Sequence, residues 1–537
     1  MDLDRRTVIG YAAASLLTAG LSVPHYACAL GASHERRVRP SPNQVGWVDV
    51  RTFGAKGDGV AIDSIAINKA IDYAASRGGG TVYLPAGTYL SYTVRLRSRI
   101  SLFLDQGAVL LAAPTPFEGR LSGGYDAAET VDPAYEAFQD FGHNHWRNAL
   151  ITGDGLRDIA VLGGGLIWGK GLARDWHDEN GVAGSRKPGT GDKAIGLRNC
   201  VNVLLRDFKV LQGGWFCLLA TGVDNLTIEN VTVDTNRDGF DIDCCRNVRV
   251  SNCTVNSPWD DGICPKSSFA LGYSRSTENV TISNCMLSGC YEMGSVIDGT
   301  WKRMPPAFNG TGRIKCGTES NGGFKNITIT NCVMDHARGI ALETVDGANL
   351  EDITISNITM RGAQNSPLFL RLGSRMRGPA GVPVGSLKRI LISNLSSFDG
   401  STMPSTFAGI DGHPIEDLQI SDVYLHQQGG LSEALSTYAP DTKEDLYPEP
   451  GMFGKLPATG IWARNVRNIE LSHVEVATAA PDNRPAIWLE KTMGADIFDL
   501  KAPSGPLVTL KGVSGFRSFG SRQLPDVRYN DLTSLTM

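Results

Sequence analysis

One nine-residue pattern recurs along the chain and limits what it can fold into more than any other feature. It reads NVLLRDFKV from Asn202, NLTIENVTV from Asn225, NVRVSNCTV from Asn247, NVTISNCML from Asn279 and NITITNCVM from Asn326. It continues as DITISNITM from Asp352, RILISNLSS from Arg389, DLQISDVYL from Asp417 and NIELSHVEV from Asn468. The starts lie 23, 22, 32, 47, 26, 37, 28 and 51 residues apart. A floor near 22 with irregular expansions is the signature of a solenoid whose rungs tolerate loops on one side. Each unit alternates apolar and polar residues and is rich in Val, Ile and Thr, which marks a strand. Strands of one direction with no helical pattern between them predict an all-β parallel β-helix, its rungs about 4.8 Å apart.

The same arithmetic assigns roles to less conspicuous residues. Asn230, Asn252, Asn284, Asn331, Asn357 and Asn394 recur at one point of the unit, where a hydrogen-bonded ladder is expected. Cys253, Cys285 and Cys332 follow three of them and are expected to stack in the core rather than pair as disulfides. The N-x-[ST] triplets at Asn225, Asn279, Asn326 and Asn357 arise from strand chemistry and need no glycan.

Length alone would suggest three or four domains for 537 residues. Composition favours one coil: Gly is 62 of 537 and charged residues are 20%, against usual figures of about 7% and 25%. The predicted division is a single β-helix domain over 46–515, with an N-terminal cap region at 46–112 and a C-terminal tail at 516–537. In the cap, Asp63 or Ser64 begins a helix whose apolar stripe is Ile65, Ile67, Ala70, Ile71 and Ala74, ending at Gly78-Gly79-Gly80. Two long excursions, 113–149 and 428–460, are expected as walls of a cleft. The first carries Phe117, Tyr125, Tyr135, Phe138, Phe141 and Trp146.

Residues 1–29 carry Arg5-Arg6, an apolar stretch from Val8 to Val23 and Ala27-Cys28-Ala29. These predict a twin-arginine-type export signal, hence a periplasmic or extracellular protein, with 30–45 as linker; the alternative is a short N-terminal anchor. No later stretch is long and apolar enough to span a bilayer. A balance of 51 basic against 56 acidic residues, with no long run of one sign, argues against a nucleic-acid partner. Ten of the eleven cysteines fall between Cys200 and Cys332 without paired CxxC spacing, which argues against structural zinc. No metal or cofactor is expected, and a monomer is.

Asp238, Asp260 and Glu292 each lie 13 residues after the start of a unit. They are therefore expected to stack in consecutive coils, with Asp261 beside the middle one. Stacked carboxylates raise one another's pKa, a cost that solubility alone would not repeat. Three readings are open: a hydrolytic acid and base pair, solvated turn aspartates, or a calcium site built from Asp238, Asp241, Asp243, Asp260 and Asp261. Lys266, Arg313 and Lys315 are candidates to hold an anionic sugar carboxylate by charge-assisted hydrogen bonds, which favours the first.

The motifs NRDGFDID from Asn236, SPWDDGICPKS from Ser257 and GRIK ending at Lys315 resemble, in order and spacing, those of glycoside hydrolase family 28, the polygalacturonase family. The likeness runs from about residue 46 to 500. It implies a right-handed, pectin-lyase-like parallel β-helix and metal-free, inverting hydrolysis. By that resemblance Asp260 is the general acid, Asp238 and Asp261 activate water, Asn236 orients the first motif, and Arg313 and Lys315 grip a uronate. Arg237 stands where the family has Thr, Gly262 where Cys is frequent, and the Gly-His-Gly motif is absent. SGCYEMGS from Ser288 occupies its place, making Tyr291 and Glu292 the candidate substrate contacts there. The expected function is cleavage of a galacturonate-containing chain of the plant cell wall or its oligosaccharides, with an exo-acting mode if the excursions block one side. The alternatives are a rhamnogalacturonan-directed hydrolase, a Ca-dependent pectate lyase and a non-catalytic glycan-binding β-helix. Glu343 and Asp346 are cleft or turn residues of a later coil.

Overall fold

The computed structural model describes residues 46–115, 124–173, 187–433, 435, 438–503 and 505–537. The expected export segment at 1–29, the linker at 30–45 and Phe117 lie outside the described residues.

Inward-facing positions of the repeat stack one above another along the coil. Leu226 pairs with Val248, Val248 with Val280, Val280 with Ile327, Ile327 with Ile353, Ile353 with Ile390, Ile390 with Leu418 and Leu418 with Ile469, all in parallel. Each of these side chains is buried. A single apolar column therefore forms the centre of a parallel β-helix, and alternate residues face outward.

Each coil must turn sharply twice around the repeat, and both turns use a residue of positive φ. At the first, Asn225, Asn247, Asn279 and Asn326 have φ of 57°, 58°, 57° and 56°, a region Asn tolerates better than β-branched residues. Their amides form a ladder: Asn225 Nδ2 donates to Asn202 Oδ1 at 2.9 Å, Asn279 to Asn247 at 3.0 Å and Asn326 to Asn279 at 2.8 Å. The interior Asn series expected to form the ladder supplies the second turn, with Asn331 and Asn357 both at φ 55°. It is linked at Asn230 to Asp207 (2.9 Å) and at Asn357 to Asn331 (3.1 Å). Cys253, Cys285 and Cys332 lie in the core, and the ten described cysteines are free thiols.

Helix α1 (Ser64–Ser76) covers the first coil with Ala66, Ile67, Ala70, Ile71 and Ala74. Ile65, expected in that stripe, is 60% exposed: the buried face begins one residue later. The Asp63 carboxylate makes no helix cap but accepts from the backbone of Lys56 and Gly57, at 2.7 and 2.9 Å, and so ties down the preceding loop. At the other end, residues 516–537 are not a tail. Strand Val508–Phe519 completes the last parallel rung, and Val527–Thr536 pairs antiparallel against it.

Both excursions pack on one outer face of the coil. The first supplies Trp146 and Phe141 to a cluster with Trp215, Phe216 and Leu219. The second supplies Phe453, Leu456 and Ala458 against Phe369, Trp462 and Trp488. Between these two apolar patches the face is charged. No helix among the described residues is long and apolar enough to cross a membrane.

Candidate active site

The charged face is built on five strands: β1 (Phe216–Thr221), β2 (Asp238–Asp243), β3 (Ile263–Lys266), β4 (Ile314–Cys316) and β5 (Ile340–Thr344). Leu218, Phe240, Ile263, Ile314 and Ile340 register in sequence and point into the core. Strand alternation then turns Asp241, Asp243, Cys264, Lys266, Lys315 and Glu343 outward.

The register corrects the expected stack. The coils of Asn225 and Asn247 match with an offset of 22 residues up to Asp234 opposite Asn256, but Phe240 lies opposite Ile263, an offset of 23. One extra residue in the turn after Asn256, which holds Pro258, Trp259 and Asp260, places Asp261, not Asp260, beside Asp238. Gly239 N donates to Asp261 O at 2.9 Å, and Asp261 N donates to Asp238 Oδ1 at 3.2 Å. Asp260 is displaced onto the turn, with a quarter of its side chain exposed. Glu292 is not on a strand at all. It opens the insertion between Ser288 and Ile314, where it pairs with Lys302 at 2.7 Å. Tyr291 is likewise directed elsewhere: its hydroxyl donates to Asp335 at 2.7 Å. Among the described residues neither forms a hydrogen bond or ion pair with the three aspartates.

The other candidates converge. Arg313 Nε donates to Asp261 Oδ1 at 2.6 Å, and Lys315 Nζ lies 2.7 Å from Asp261 Oδ2. Asp260 Oδ2 is 2.6 Å from an Arg237 amine, and the Arg237 guanidinium stands 4.3 Å over the Trp215 ring. Asn236 lies half-buried beside them, its Oδ1 3.5 Å from Thr235 Oγ1. Lys266 is in the wall but not free for a ligand. It donates to Glu319 at 3.2 Å and stands 4.0 Å from Asp241.

Proton affinities within the cluster are pulled apart. Burial, reinforced by Asp241 and Asp260, holds the Asp238 carboxyl well above the usual carboxylate range. Asp261 is as deeply buried, but Arg313 and Lys315 outweigh that burial and hold it well below the usual range. The proton affinities of two adjacent carboxyl groups are thus driven in opposite directions. On the next coil Glu343, fully buried with neither oxygen hydrogen-bonded, is pushed up by burial to about 7.

Three contributors escape sequence reasoning because they come from the excursions. His143 Nε2 is 3.0 Å from Asp241 Oδ2, while its Nδ1 is 3.0 Å from Asp140 O. Burial opposes its charge, but Glu319 and Asp241 prevail and raise its pKa. An imidazole therefore reaches the acids from 98 residues upstream, although the motif that would carry one locally is missing. From downstream, Glu449 accepts from both terminal amines of Arg313, and the Tyr447 hydroxyl accepts from Lys315 at 3.2 Å. The only sequence signal for these residues was their place in loops rich in aromatics or Pro.

The five-acid calcium arrangement is not assembled. His143, Asp238 and Asp241 bring donor atoms within 4.8 Å of one another, but Lys266 already supplies positive charge there. Asp243 instead accepts from Ser268 N and Oγ, at 2.8 and 2.7 Å. A separate cavity of about 530 Å³ behind the first excursion, lined by Glu129, Glu136, His145 and Lys187 among others, includes none of the three aspartates.

Residues 47–294 match the family model described as rhamnogalacturonase A/epimerase, pectate lyase-like. A Vitis vinifera protein named "Probable polygalacturonase" is 24% identical over 455 residues, covering 76% of this chain and 83% of its own length. An exo-poly-alpha-D-galacturonosidase of Dickeya chrysanthemi is 24% identical over 395 residues, covering 59% of this chain; the chain spans 63% of that protein. The structure of a family 28 exopolygalacturonase from Yersinia enterocolitica superposes with a TM-score of 0.56 at 17% identity, covering 85% of this chain and 78% of that one. That likeness establishes the fold. The matched residues and the coil thus make the chain similar to pectate-lyase-like β-helix proteins, relatives named polygalacturonase and exo-polygalacturonosidase among them.

Proposed function

We propose that the chain is a glycoside hydrolase that cleaves a galacturonate-containing pectic polysaccharide or its oligosaccharides with inversion. The observation that carries this reading is the trio Asp238, Asp260 and Asp261 on one outward patch, with the proton affinity of Asp238 raised and that of Asp261 lowered. Hydrolysis of this type needs one carboxyl to donate a proton and another to activate water. The relatives named polygalacturonase and exo-polygalacturonosidase support the substrate class. The two excursions, packed at either end of the patch, support an exo-acting mode.

The resemblance gives proton donation to Asp260 and water activation to Asp238 with Asp261. Asp260, the exposed member, is best placed to meet a leaving oxygen. The electrostatics favour a second allocation, because burial with Asp241 and Asp260 raises the proton affinity of Asp238. Aspartate-to-asparagine variants separate the two. Loss of the true donor is expected to lower kcat about 10²- to 10⁴-fold on a pectic oligosaccharide and much less on a glycoside with a good leaving group. Such rescue in Asp260→Asn supports the first allocation, and in Asp238→Asn the second. If neither variant loses activity, or the purified protein releases no reducing sugar from homogalacturonan or rhamnogalacturonan fragments, the hydrolase reading fails.

We further propose that residues 1–29 direct export, in keeping with a polymeric substrate outside the cell. Fractionation of the full chain against an Arg5→Lys/Arg6→Lys variant tests this: unchanged distribution would overturn it.

A further inference from the structure

The turn that carries Asp260 also carries an indole for which the acid chemistry has no use. Ser257-Pro258-Trp259-Asp260 follows Asn256 in the turn that is one residue longer than its counterpart on the coil before. Trp259 keeps 45% of its surface exposed, next in the chain to the most exposed of the three acids. An indole gains much from burial, so one left in solvent beside a reactive group calls for a reason.

The ring stays out because the backbone on both sides of it is fixed. Pro258 O accepts from Thr311 N at 3.0 Å, and Asp260 O accepts from Gly312 N at 2.8 Å. Ser257 Oγ lies 2.5 Å from Arg237 O and 2.9 Å from Asp260 O, and Asp261 N donates to Asp260 Oδ1 at 3.0 Å. The indole itself meets the Phe308 ring edge to face, with centroids 5.8 Å apart and planes at 76°. Phe308 belongs to the insertion between Ser288 and Ile314, where its N–H donates to Pro305 O at 2.8 Å. Thr311 and Gly312 come from the same insertion, which therefore grips the turn twice, once by backbone and once by ring.

These contacts also order the groups along the coil. Arg237, from the coil before, stands 2.6 Å from Asp260 Oδ2, whereas Phe308, from the insertion after, braces Trp259. The indole thus lies on the C-terminal side of the acid. A pyranose carries hydroxyls on its rim and C–H groups on its faces, and a rigid, half-exposed indole covers such a face without needing charge. Because the ring is already held in the free protein, little ordering remains to oppose binding.

We infer that Trp259 is a sugar-binding platform, on which the pyranose lying to the C-terminal side of Asp260 stacks, and that Phe308 is its positioning residue. The platform reads a C–H face, so it serves a uronic acid and a neutral sugar alike. This deepens the reading under Proposed function and rests on it for the identity of the cleft.

Calorimetric titration of wild type, Trp259→Ala, Trp259→Phe and Phe308→Ala with homogalacturonan and rhamnogalacturonan tetrasaccharides tests it. Product release is followed in parallel, and thermal midpoints show which variants fold. Trp259→Ala is expected to weaken binding of whichever tetrasaccharide wild type takes by roughly tenfold or more, and Trp259→Phe to recover most of that loss. Phe308→Ala, which leaves the indole unbraced, is expected to raise KM about three- to tenfold with kcat little changed; a purely structural role would lower the thermal midpoint and leave KM alone. A folded Trp259→Ala protein that binds as tightly as wild type overturns the inference, as does failure of both tetrasaccharides to bind wild type. Should Trp259→Ala not fold, unchanged affinity in Phe308→Ala overturns it instead. Trp259-dependent binding with no bond cleaved supports the platform and removes the hydrolase reading. Cleavage with unchanged KM in Trp259→Ala does the reverse, so the two fail separately.

Discussion

Glu343 is a carboxyl in the wall of the cleft with no hydrogen-bond partner, and its pKa is raised by burial to about 7. A group whose folded pKa lies above its unfolded value binds protons more tightly in the native state. Stability is therefore lost as pH rises from the ordinary glutamate value toward about 7. Glu343→Gln removes the ionisation and should flatten that fall. At pH 8 the variant is expected to be more stable than wild type by roughly 2–3 kcal/mol, with little difference at pH 4, as read by denaturant melts at both pH values. His143 obeys the same rule in a higher pH range. An imidazole with a raised pKa contributes stability that is complete below its ordinary value and lost as pH climbs through the raised one. Its contact with Asp241 positions a neighbour of Asp238, so His143→Asn is expected to lower kcat roughly tenfold or more with KM little changed; a purely structural role would alter stability alone. Asp238, Asp261, Arg313 and Lys315 were legible in the sequence because they fall on or beside strands. His143, Tyr447 and Glu449 were not, since a loop residue carries no periodicity to say where its side chain ends.

At the scale of the strand and its turns, the repeat was read correctly in kind and misread in register. Counting 13 residues from each Asn assumes turns of equal length, but the turn holding Pro258, Trp259 and Asp260 is one residue longer than the one before it. Turn length obeys no sequence period, and a one-residue change alters which acid adjoins Asp238. The same limit moved Glu292 off the patch, because the insertion it begins is not a strand. The positive-φ turns are sharper in their demands. Asn331, at φ 55°, is expected to accept Gly almost neutrally, whereas Asn331→Val should cost about 1–2 kcal/mol, measurable as a lower thermal midpoint. Equal stability of the two variants would show that the turn does not require the left-handed backbone.

Across the whole molecule, the ends of the coil are where a stacked fold is most exposed to self-association. Helix α1 covers the first rung, and Val527–Thr536 closes the last, its Tyr529 ring stacking 6.4 Å from Phe516. A chain ending at Phe519 uncovers the Val508–Phe519 edge and is expected to elute at a larger apparent size than the full chain in size-exclusion chromatography. The coil itself was evident from spacing alone, because each rung repeats the same local chemistry. Closure was not, since Val527–Thr536 runs antiparallel and resembles no rung. The cleft draws on the entire length: His143 comes from before the acids, Arg313 and Lys315 from after them, and Glu449 arrives 136 residues beyond Arg313. During synthesis the acid-bearing rungs can stack long before the segment that completes their surroundings has been made. A chain still attached to the ribosome, or cut short before residue 449, would therefore present those rungs with the Arg313 guanidinium fork open.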